Sequence, residues 1–256
     1  MEPLANGEAH VWITDPDGIR HPDLLERYFA LLDPEERARH RRLRGDQSRR
    51  EYLVAHALAR VVLSRYVAVA PESWTFSRGE HGRPEISGPP EAPPLRFNLS
   101  HTRGLVACAV ARGRDIGVDV ENAARRGRHL EIAERFFGEA ELDAIRALPP
   151  DQQKRRFLEV WTLKEAYLKA RGSGISISLR GFQFQISEGA AARIRIGFDP
   201  ALVRDDPESW QFALHHPTAI HTLALAIRRQ TGRDLTIRLF EGVPETDAAG
   251  SEIAFR

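Results

Sequence analysis

Residues 105–121 read Leu-Val-Ala-Cys-Ala-Val-Ala-Arg-Gly-Arg-Asp-Ile-Gly-Val-Asp-Val-Glu and contain two strand patterns with a short link between them. The first pattern, Leu105–Ala111, is apolar throughout, and the second, Ile116–Val120, alternates apolar residues with small or acidic ones. Strands joined by a short link that contains glycine, here residues 112–115, are typical of a β-hairpin. The stretch therefore predicts two neighbouring strands near the middle of the chain.

On either side of this stretch, helix patterns come first and a group of strand patterns follows. Helical periodicity extends over 22–32 and 47–69 in the first half and over 130–147 and 151–171 in the second. We predict further strands at 95–99, 181–186, 192–198, 210–215, 220–228 and 234–239. Helices followed by antiparallel strands indicate an α+β protein. The pattern divides near 115–125, so we expect two comparable halves, residues 1–116 and 117–256.

The composition is that of a globular protein. The chain has 256 residues, of which 42% are hydrophobic and 29% charged, and its formal net charge is +1. No stretch approaches the roughly 20 consecutive apolar residues of a membrane span, and the amino terminus lacks the basic and apolar regions of a secretory signal. A single cysteine, Cys108, excludes an internal disulfide and a cysteine-ligated zinc site. These features predict a cytoplasmic protein that does not enter a membrane.

Two carboxylates lie on the strand Ile116–Val120 and its continuation. Because side chains alternate between the faces of a strand, Asp119 and Glu121 share one face and lie about 7 Å apart at a rise of ~3.3 Å per residue. A hard divalent cation such as Mg²⁺ prefers oxygen ligands of this kind. Gly117 on the same face leaves room for a ligand. The alternative interpretation is an ordinary half-exposed strand with a polar face.

The helix pattern at 157–169 reads Phe-Leu-Glu-Val-Trp-Thr-Leu-Lys-Glu-Ala-Tyr-Leu-Lys. Helical spacing puts Lys164 into an otherwise apolar stripe, and it puts Glu165 and Lys169 one turn apart on the same side. The alternative interpretation is that Glu165 and Lys169 are an ordinary surface pair that stabilises the helix by ~0.2–0.5 kcal/mol and has no catalytic role. The chain, however, has 34 arginines and only three lysines, and two of those lysines lie here. This bias favours chemistry that needs the compact ammonium group of lysine.

Three other segments offer ligands for phosphate groups. Phe97-Asn98-Leu99-Ser100-His101 ends a strand on a hydroxyl and an imidazole, which suit a turn or a phosphate site better than a nucleophile–base pair. His81-Gly82-Arg83-Pro84 is a turn with one fixed cation. The arginine run at 37–50 has seven arginines in fourteen residues and is a candidate polyanion surface. A net charge of only +1 fits a few phosphates on a small ligand better than nucleic acid.

Together these segments resemble the surfactin-synthetase type of 4′-phosphopantetheinyl transferase. Phe97–His101, Gly117–Glu121 and Trp161–Lys169 carry the resemblance in the family's order and spacing, and His81–Pro84 fits its upstream turn. The resemblance spans about residues 33–180. It implies transfer of the phosphopantetheine arm of coenzyme A to a serine of an apo acyl, peptidyl or aryl carrier protein, with release of adenosine 3′,5′-bisphosphate. It also implies a monomer with two similar α+β halves related by a pseudo-twofold axis and an active site in the cleft between them.

The resemblance assigns roles to individual residues. Asp119, Glu121 and Glu165 correspond to the ligands of Mg²⁺, with Mn²⁺ as an alternative ion. The expected catalytic residues are Glu165 as general base on the carrier serine, Lys169 as the cation at the pyrophosphate, and Asp119. Asp119 and Lys169 are also expected to contact coenzyme A. Ser100 and His101 correspond to the pair at its ribose phosphate, and Arg83 and Pro84 to the turn on its adenine side. Arg39 and Arg50 correspond to the family's amino-terminal cations. We expect Lys164, Lys169 and the arginine run to balance the carboxylates.

Two other classes of function are open from the residues alone. A metal-dependent nuclease would use the same carboxylates together with Lys169, since phosphodiester hydrolysis needs the same residue types. A polyanion-binding module without catalysis would use residues 37–50. The nearly neutral charge argues against nucleic acid as a partner. A carrier protein with acidic helices is expected to dock electrostatically on the arginine-rich surface, but the sequence does not indicate which carrier or pathway is served.

Overall fold

The computed structural model describes residues 4–253 of the chain except 80–81, 91–92, 125–126, 173–176, 188–192, 231 and 246–250. It has two compact units. The first contains the residues up to Ile116 and the segment that begins at Leu235, and the second runs from Gly117 to Asp234. None of the described helices is both long and apolar enough to cross a membrane.

Both units have the same order of elements: one strand, three helices, a two-stranded hairpin and two further strands. In the first unit these are β1 (Glu8–Thr14), α1 (Pro22–Leu31), α2 (Pro34–Arg42), α3 (Asp46–Tyr66), β2 (Thr75–Arg78), β3 (Pro84–Gly88), β4 (Leu95–Thr102) and β5 (Leu105–Arg112). In the second they are β6 (Ile116–Asn122), α4 (His129–Phe136), α5 (Glu139–Arg146), α6 (Pro150–Arg171), β7 (Phe182–Ile186), β8 (Ile194–Phe198), β9 (Trp210–His215) and β10 (His221–Arg228). The strand neighbours also correspond, β1-β5-β4 in one unit and β6-β10-β9 in the other. The predicted α+β fold with two similar halves is confirmed.

The last described strands return to the first unit. β11 (Thr236–Glu241) pairs in parallel with β1, with Leu239 opposite Val11, and β12 (Ser251–Ile253) pairs with β11. The rings of Trp12 and Phe240 stack with centroids 4.6 Å apart, so the added strand covers an edge of β1 that would otherwise be open. The expectation that all of 117–256 belongs to the second half is therefore wrong from Leu235 onward.

The predicted hairpin across 112–115 is also wrong. β5 pairs with β1 on one side and β4 on the other, whereas β6 neighbours β10. All residues of β5 except its last are buried, so this strand needs partners on both edges, and β1 and β4 provide them. The hairpin that does form joins β4 to β5 through Gly104, whose φ of +79° favours glycine.

Local sequence features set several helix ends. Asp33 and Glu36 form a capping box at the start of α2, and Gly172 ends α6 in the left-handed region with φ of +70°. The predicted helix at 130–147 is interrupted at Gly138, where a Cβ atom would collide with the Gln183 side chain. The chain there forms two helices, α4 and α5, instead of one.

Each unit has a core between its long helix and its strands. In the first unit α3 packs on β4 and β5, and in the second α6 packs mainly on β10. Cys108 on β5 is fully buried between its strand neighbours Trp12 and Leu99. Burial raises the pKa of its thiol, so Cys108 behaves as a small apolar residue, as the apolar strand pattern predicts.

Lys164 lies in the core of the second unit. Its side chain is fully buried, and its Nζ lies 2.9 Å from Glu141 Oε2 and donates to the carbonyl oxygens of Leu179 and Phe182 at 2.9 and 2.5 Å. The Glu141 carboxylate also accepts hydrogen bonds from the backbone N–H groups of Gly138 and Phe184. Burial lowers the pKa of Lys164, and the Glu141 charge opposes that shift. Lys164 therefore joins α5, α6 and β7, and the expectation that it balances the candidate catalytic carboxylates is wrong.

This ion pair makes a prediction about stability. Lys164→Met removes the ammonium and leaves the Glu141 charge buried without compensation, so we expect a loss of ~3–5 kcal/mol in the free energy of unfolding, measured with urea. Lys164→Met combined with Glu141→Gln should lose less, because the uncompensated charge is then gone. Lys154→Met on the half-exposed start of α6 is the control. Equal stability of Lys164→Met and the wild type would show that the pair does not stabilise the core.

Candidate active site

The β6 strand and the α6 helix approach each other at Gly117. A Cβ atom built on Gly117 would collide with the backbone of Ala166 and Ala170. Only glycine allows a strand to lie so close to a helix. The expectation that Gly117 leaves room for a ligand is therefore wrong, because the helix backbone occupies that room. The contact instead brings the acidic residues of β6 next to the charged face of α6.

Asp119, Glu165 and Lys169 meet beside this contact. Lys169 Nζ donates to Asp119 Oδ1 at 2.6 Å and to the carbonyl oxygen of Val118 at 3.2 Å. Asp119 is buried, with 6% of its surface exposed, while Lys169 and Glu165 are half-buried. Burial raises the pKa of Glu165, the Asp119 charge raises it further, and Lys169 opposes both effects. The cluster thus combines a fixed cation with a carboxyl group that holds a proton more strongly than usual.

Glu121 is placed on β6 two residues after Asp119 and is half-buried. Among the residues that the structure describes, no group of three His, Cys, Asp or Glu side chains is arranged to hold a metal ion. The three predicted metal ligands are thus not assembled into one set, but Asp119 and Glu165 lie close enough to repel each other. Two neighbouring carboxylates of this kind favour a cation beside them. Asp119 and Glu165 fit a hard divalent ion, and the contribution of Glu121 stays a prediction.

The residues predicted to bind the nucleotide all lie in the first unit. Ser100 on β4 is buried, and His101 next to it is exposed. His101 Nδ1 lies 3.6 Å from Glu51 Oε2 on α3, and Glu51 accepts a hydrogen bond from Gln47 Nε2 at 2.9 Å. Burial raises the pKa of Glu51. No local sequence pattern predicts that Glu51 pairs with His101, since the two residues are far apart along the chain.

The four other predicted nucleotide ligands have separate surroundings. Arg39 on α2 is exposed, and its guanidinium lies 5.9 Å from the centre of the Tyr52 ring. Arg50 Nη1 donates to the carbonyl oxygen of Ile19 at 2.6 Å. Arg83 Nη2 donates to the carbonyl oxygen of Ile116 at 3.1 Å, and burial lowers the pKa of Arg83. Pro84 begins β3 and is half-buried, while His81 of the same turn lies outside the described residues.

Much of the arginine run at 37–50 has partners within the first unit. Arg37 donates to the carbonyl oxygen of Ala30, and the guanidinium groups of Arg37 and Arg41 lie over the Phe29 ring. Arg49 pairs with Asp46 at 2.6 Å. Arg37 and Arg41 thus join α2 to α1, and Arg49 also donates to the carbonyl oxygen of Leu43 after α2 at 3.1 Å, which weakens the interpretation of this run as a surface for a long polyanion.

Comparisons with known proteins match both units to models of the same kind of enzyme. A family model described as the 4′-phosphopantetheinyl transferase superfamily matches residues 115–228, and one described as the N-terminal part of a 4′-phosphopantetheinyl transferase matches residues 21–112. The chain is 34% identical over 173 residues to the 4′-phosphopantetheinyl transferase HetI of Nostoc sp., covering 68% of this chain and 72% of that protein. The chain belongs to the 4′-phosphopantetheinyl transferase superfamily.

Two transferases of Bacillus subtilis are similar to this phosphopantetheinyl transferase. The transferase Sfp is 32% identical over 171 residues, covering 67% of this chain and 74% of Sfp. Another is 29% identical over 193 residues, covering 74% of this chain and 84% of that protein. The resemblance inferred from the motifs is confirmed, and the nuclease and the polyanion-binding module are set aside.

The contact at Gly117 makes a prediction for this transferase. Gly117→Ala forces β6 away from α6, so we expect a loss of ~1–3 kcal/mol in stability and a large fall in transfer rate, because Asp119 moves relative to Glu165 and Lys169. Gly197→Ala on β8 is the matched control, since a Cβ atom there meets nothing within 4 Å. Melting temperature and transfer rate are measured for both variants. A Gly117→Ala enzyme with normal stability and rate would disprove the close approach.

Proposed function

We propose that Asp119, Glu165 and Lys169 carry the transfer of the phosphopantetheine arm from coenzyme A to the serine of an apo carrier protein. Members of this family transfer that arm to apo carrier proteins. The observation that supports these three residues is the cluster beside Gly117, in which a carboxylate fixes an ammonium next to a second carboxyl group of raised pKa.

Glu165 is the general base in this proposal. The serine oxygen forms a bond to the phosphorus that carries pantetheine, and the bond from that phosphorus to the oxygen of adenosine 3′,5′-bisphosphate breaks. The serine proton passes to the Glu165 carboxylate. Burial and the Asp119 charge raise the pKa of this carboxylate and so increase its basicity, and a divalent ion held by the same carboxylate would oppose that shift. Glu165 suits this role better than Asp119, which is committed to Lys169.

Lys169 stabilises the charge that grows on the leaving group. Attack on a pyrophosphate needs alignment and charge neutralisation more than covalent help. Asp119 and the carbonyl oxygen of Val118 hold the ammonium in place, so little reorganisation is needed when negative charge develops. Asp119 therefore has two proposed roles: it holds the Lys169 ammonium in place, and it is a candidate ligand for the metal ion.

A divalent ion, Mg²⁺ or alternatively Mn²⁺, would be held by Asp119 and Glu165, with Glu121 on the same strand as a third donor. Such an ion would neutralise the pyrophosphate oxygens when bound. The repulsion between Asp119 and Glu165 supports a cation between these groups. Removing divalent ions with a chelator should therefore abolish transfer.

The nucleotide end of coenzyme A is assigned to the first unit. His101 is exposed beside the buried Ser100 on β4, and the two residues are proposed to lie at the ribose phosphate, which the exposed ring of His101 can contact. Arg83 and Pro84 are proposed to border the adenine. Arg39 and Arg50 are proposed to bind the remaining phosphate groups. Arg50 is positioned by the Ile19 carbonyl oxygen and Arg39 by the Tyr52 ring, which supports fixed guanidinium groups at these places.

The carrier protein is proposed to dock by charge. Arg41 and Arg42 in the last turn of α2 and Arg44 just after it are exposed, and they are proposed to attract the acidic helices that the family resemblance implies for the carrier. The repeated architecture supports a monomer, since one chain contains both copies of the α+β unit. A cytoplasmic location stays a prediction from the sequence.

The first test concerns the cluster. Asp119→Asn and Glu165→Gln should each lower the transfer rate by about 10²–10⁴-fold, because alignment or proton transfer is lost while side-chain volume is kept. Apo carrier protein is incubated with coenzyme A and Mg²⁺, and its gain of one phosphopantetheine mass is followed over time.

Asp143→Asn on the exposed face of α5 is the matched control and should keep the wild-type rate. Circular dichroism checks that each variant is folded. A folded Glu165→Gln enzyme that modifies the carrier at the normal rate with saturating Mg²⁺ would contradict the assignment of the base.

The second test concerns His101. A hydrogen bond to a charged group contributes ~1.5–3 kcal/mol, so His101→Ala should raise KM for coenzyme A roughly ten- to a hundred-fold and change kcat little. The wild type should prefer coenzyme A to its 3′-dephospho form, and the variant should lose most of that preference. Values of kcat/KM for both donors with both enzymes complete the cycle. Undiminished preference in His101→Ala would place the 3′-phosphate elsewhere.

A further inference from the structure

The arrangement around His101 occurs a second time in the molecule. In the first unit, Glu51 on α3 accepts a hydrogen bond from Gln47, one turn earlier, and lies 3.6 Å from His101. In the second unit, Glu159 on α6 accepts a hydrogen bond from Arg155 Nε, one turn earlier, at 3.1 Å. His216 Nε2 lies 3.3 Å from the same Glu159 carboxylate. Each long helix thus pairs a carboxylate with a histidine and with a donor four residues before it.

The two histidines also occupy corresponding places on their strands. His101 lies near the end of β4 in the pattern Phe97-x-Leu99-x-His101, and His216 follows β9 in the pattern Phe212-x-Leu214-x-His216. Both strands are followed by a turn and an antiparallel buried strand, β5 or β10. The correspondence therefore extends from the element order to a particular cluster of side chains.

In the second unit this cluster lines a cavity of about 690 Å³. The cavity has an apolar side formed by Ile186, Ile194, Phe212 and Leu214, all half-buried, and a charged side that includes Arg155, Arg156 and His216. Its volume lies within the range of roughly 300–1,000 Å³ typical of small-molecule sites. An apolar surface beside convergent polar groups is the usual composition of such a site.

The charge of the cavity favours an anion. Arg155 and Arg156 both contact Glu159, at 3.1 and 3.0 Å, so two guanidinium groups surround one carboxylate. Burial would raise the pKa of Glu159, but His216 and the two arginines outweigh it and hold that pKa below its usual value. Arg155 contacts Glu159 through Nε, and 68% of its side chain is exposed, so its terminal nitrogens are accessible to a ligand. A guanidinium group can bind a phosphate group through two parallel N–H···O hydrogen bonds.

We propose that the cavity lined by Arg155, Arg156, His216 and Phe212 binds a nucleoside phosphate of the class of adenosine 3′,5′-bisphosphate, without taking part in transfer. The ligand class rests on the proposed function, because it is drawn from the role of His101 at the nucleotide phosphate. The aliphatic residues and the Phe212 ring provide the surface for a base, and the arginines and His216 provide the contacts for phosphate.

The test is a calorimetric titration of the full chain with adenosine 3′,5′-bisphosphate. The wild type should bind two molecules. Arg155→Gln combined with His216→Ala should bind one, with at least a tenfold loss of affinity at the other site, and should keep its transfer rate within about twofold. Arg204→Gln, an exposed arginine outside the cavity, is the control and should bind two molecules. Melting temperatures show whether each variant is folded.

Further arms separate this proposal from the proposed function. His101→Ala should weaken binding at the other site and slow transfer at coenzyme A concentrations below KM, and it should leave the cavity site intact. If His101→Ala changes neither binding nor transfer while the double variant still loses one site, the role of His101 fails and the cavity proposal stands. A wild type that binds one molecule, or a double variant that binds as the wild type does, overturns the cavity proposal. Binding of adenosine without phosphate at the cavity, with equal affinity, would overturn its assignment to phosphate.

Discussion

The close approach of β6 to α6 at Gly117 is the constraint on which the candidate catalytic centre depends. It places Asp119 on the strand next to Lys169 on the helix, and the resulting 2.6 Å ion pair fixes the cation beside Glu165. The same helix is held elsewhere by Lys164, whose ammonium meets Glu141 and two backbone carbonyl groups. Two neighbouring charged residues of α6 therefore differ in their surroundings: Lys164 anchors the helix in the core, whereas Glu165 is half-buried and is the proposed general base.

Comparison of the two units shows that the charged residues of this cluster on α6 have no counterpart on α3. If Glu51 and Glu159 correspond, the positions of Glu165 and Lys169 fall on Ala57 and Val61 of α3, which are buried and apolar. The first unit thus keeps the helix–histidine arrangement without the acidic cluster. Its sheet has also gained β11 and β12 on the edge of β1. The two units share an order of elements but differ in the charged side chains that their long helices carry.

Part of this structure could be predicted from the sequence because it depends on local patterns. Helix ends follow from Asp33 and Gly172, the buried strand β5 follows from its apolar run, and strand alternation places Asp119 and Glu121 on one face. Strand partners could not be predicted this way, since β5 selects β1 and β4 through contacts distant in sequence. Gly117 is ambiguous in the sequence for the same reason: a glycine indicates that another group lies close to the backbone, but not whether that group is a ligand or a helix. Composition likewise marks Lys164 and Lys169 as unusual, but it does not show that Lys164 is buried in an ion pair with Glu141.

The most direct test of the central claim is a crystal structure of the enzyme with coenzyme A and Mg²⁺. The cluster of Asp119, Glu165 and Lys169 should surround the pyrophosphate. We expect the metal ion about 2.1 Å from an oxygen of Asp119 and of Glu165, and Lys169 Nζ within hydrogen-bonding distance of a phosphate oxygen. A metal ion held by other side chains, or a pyrophosphate beyond the reach of Lys169, would contradict the account.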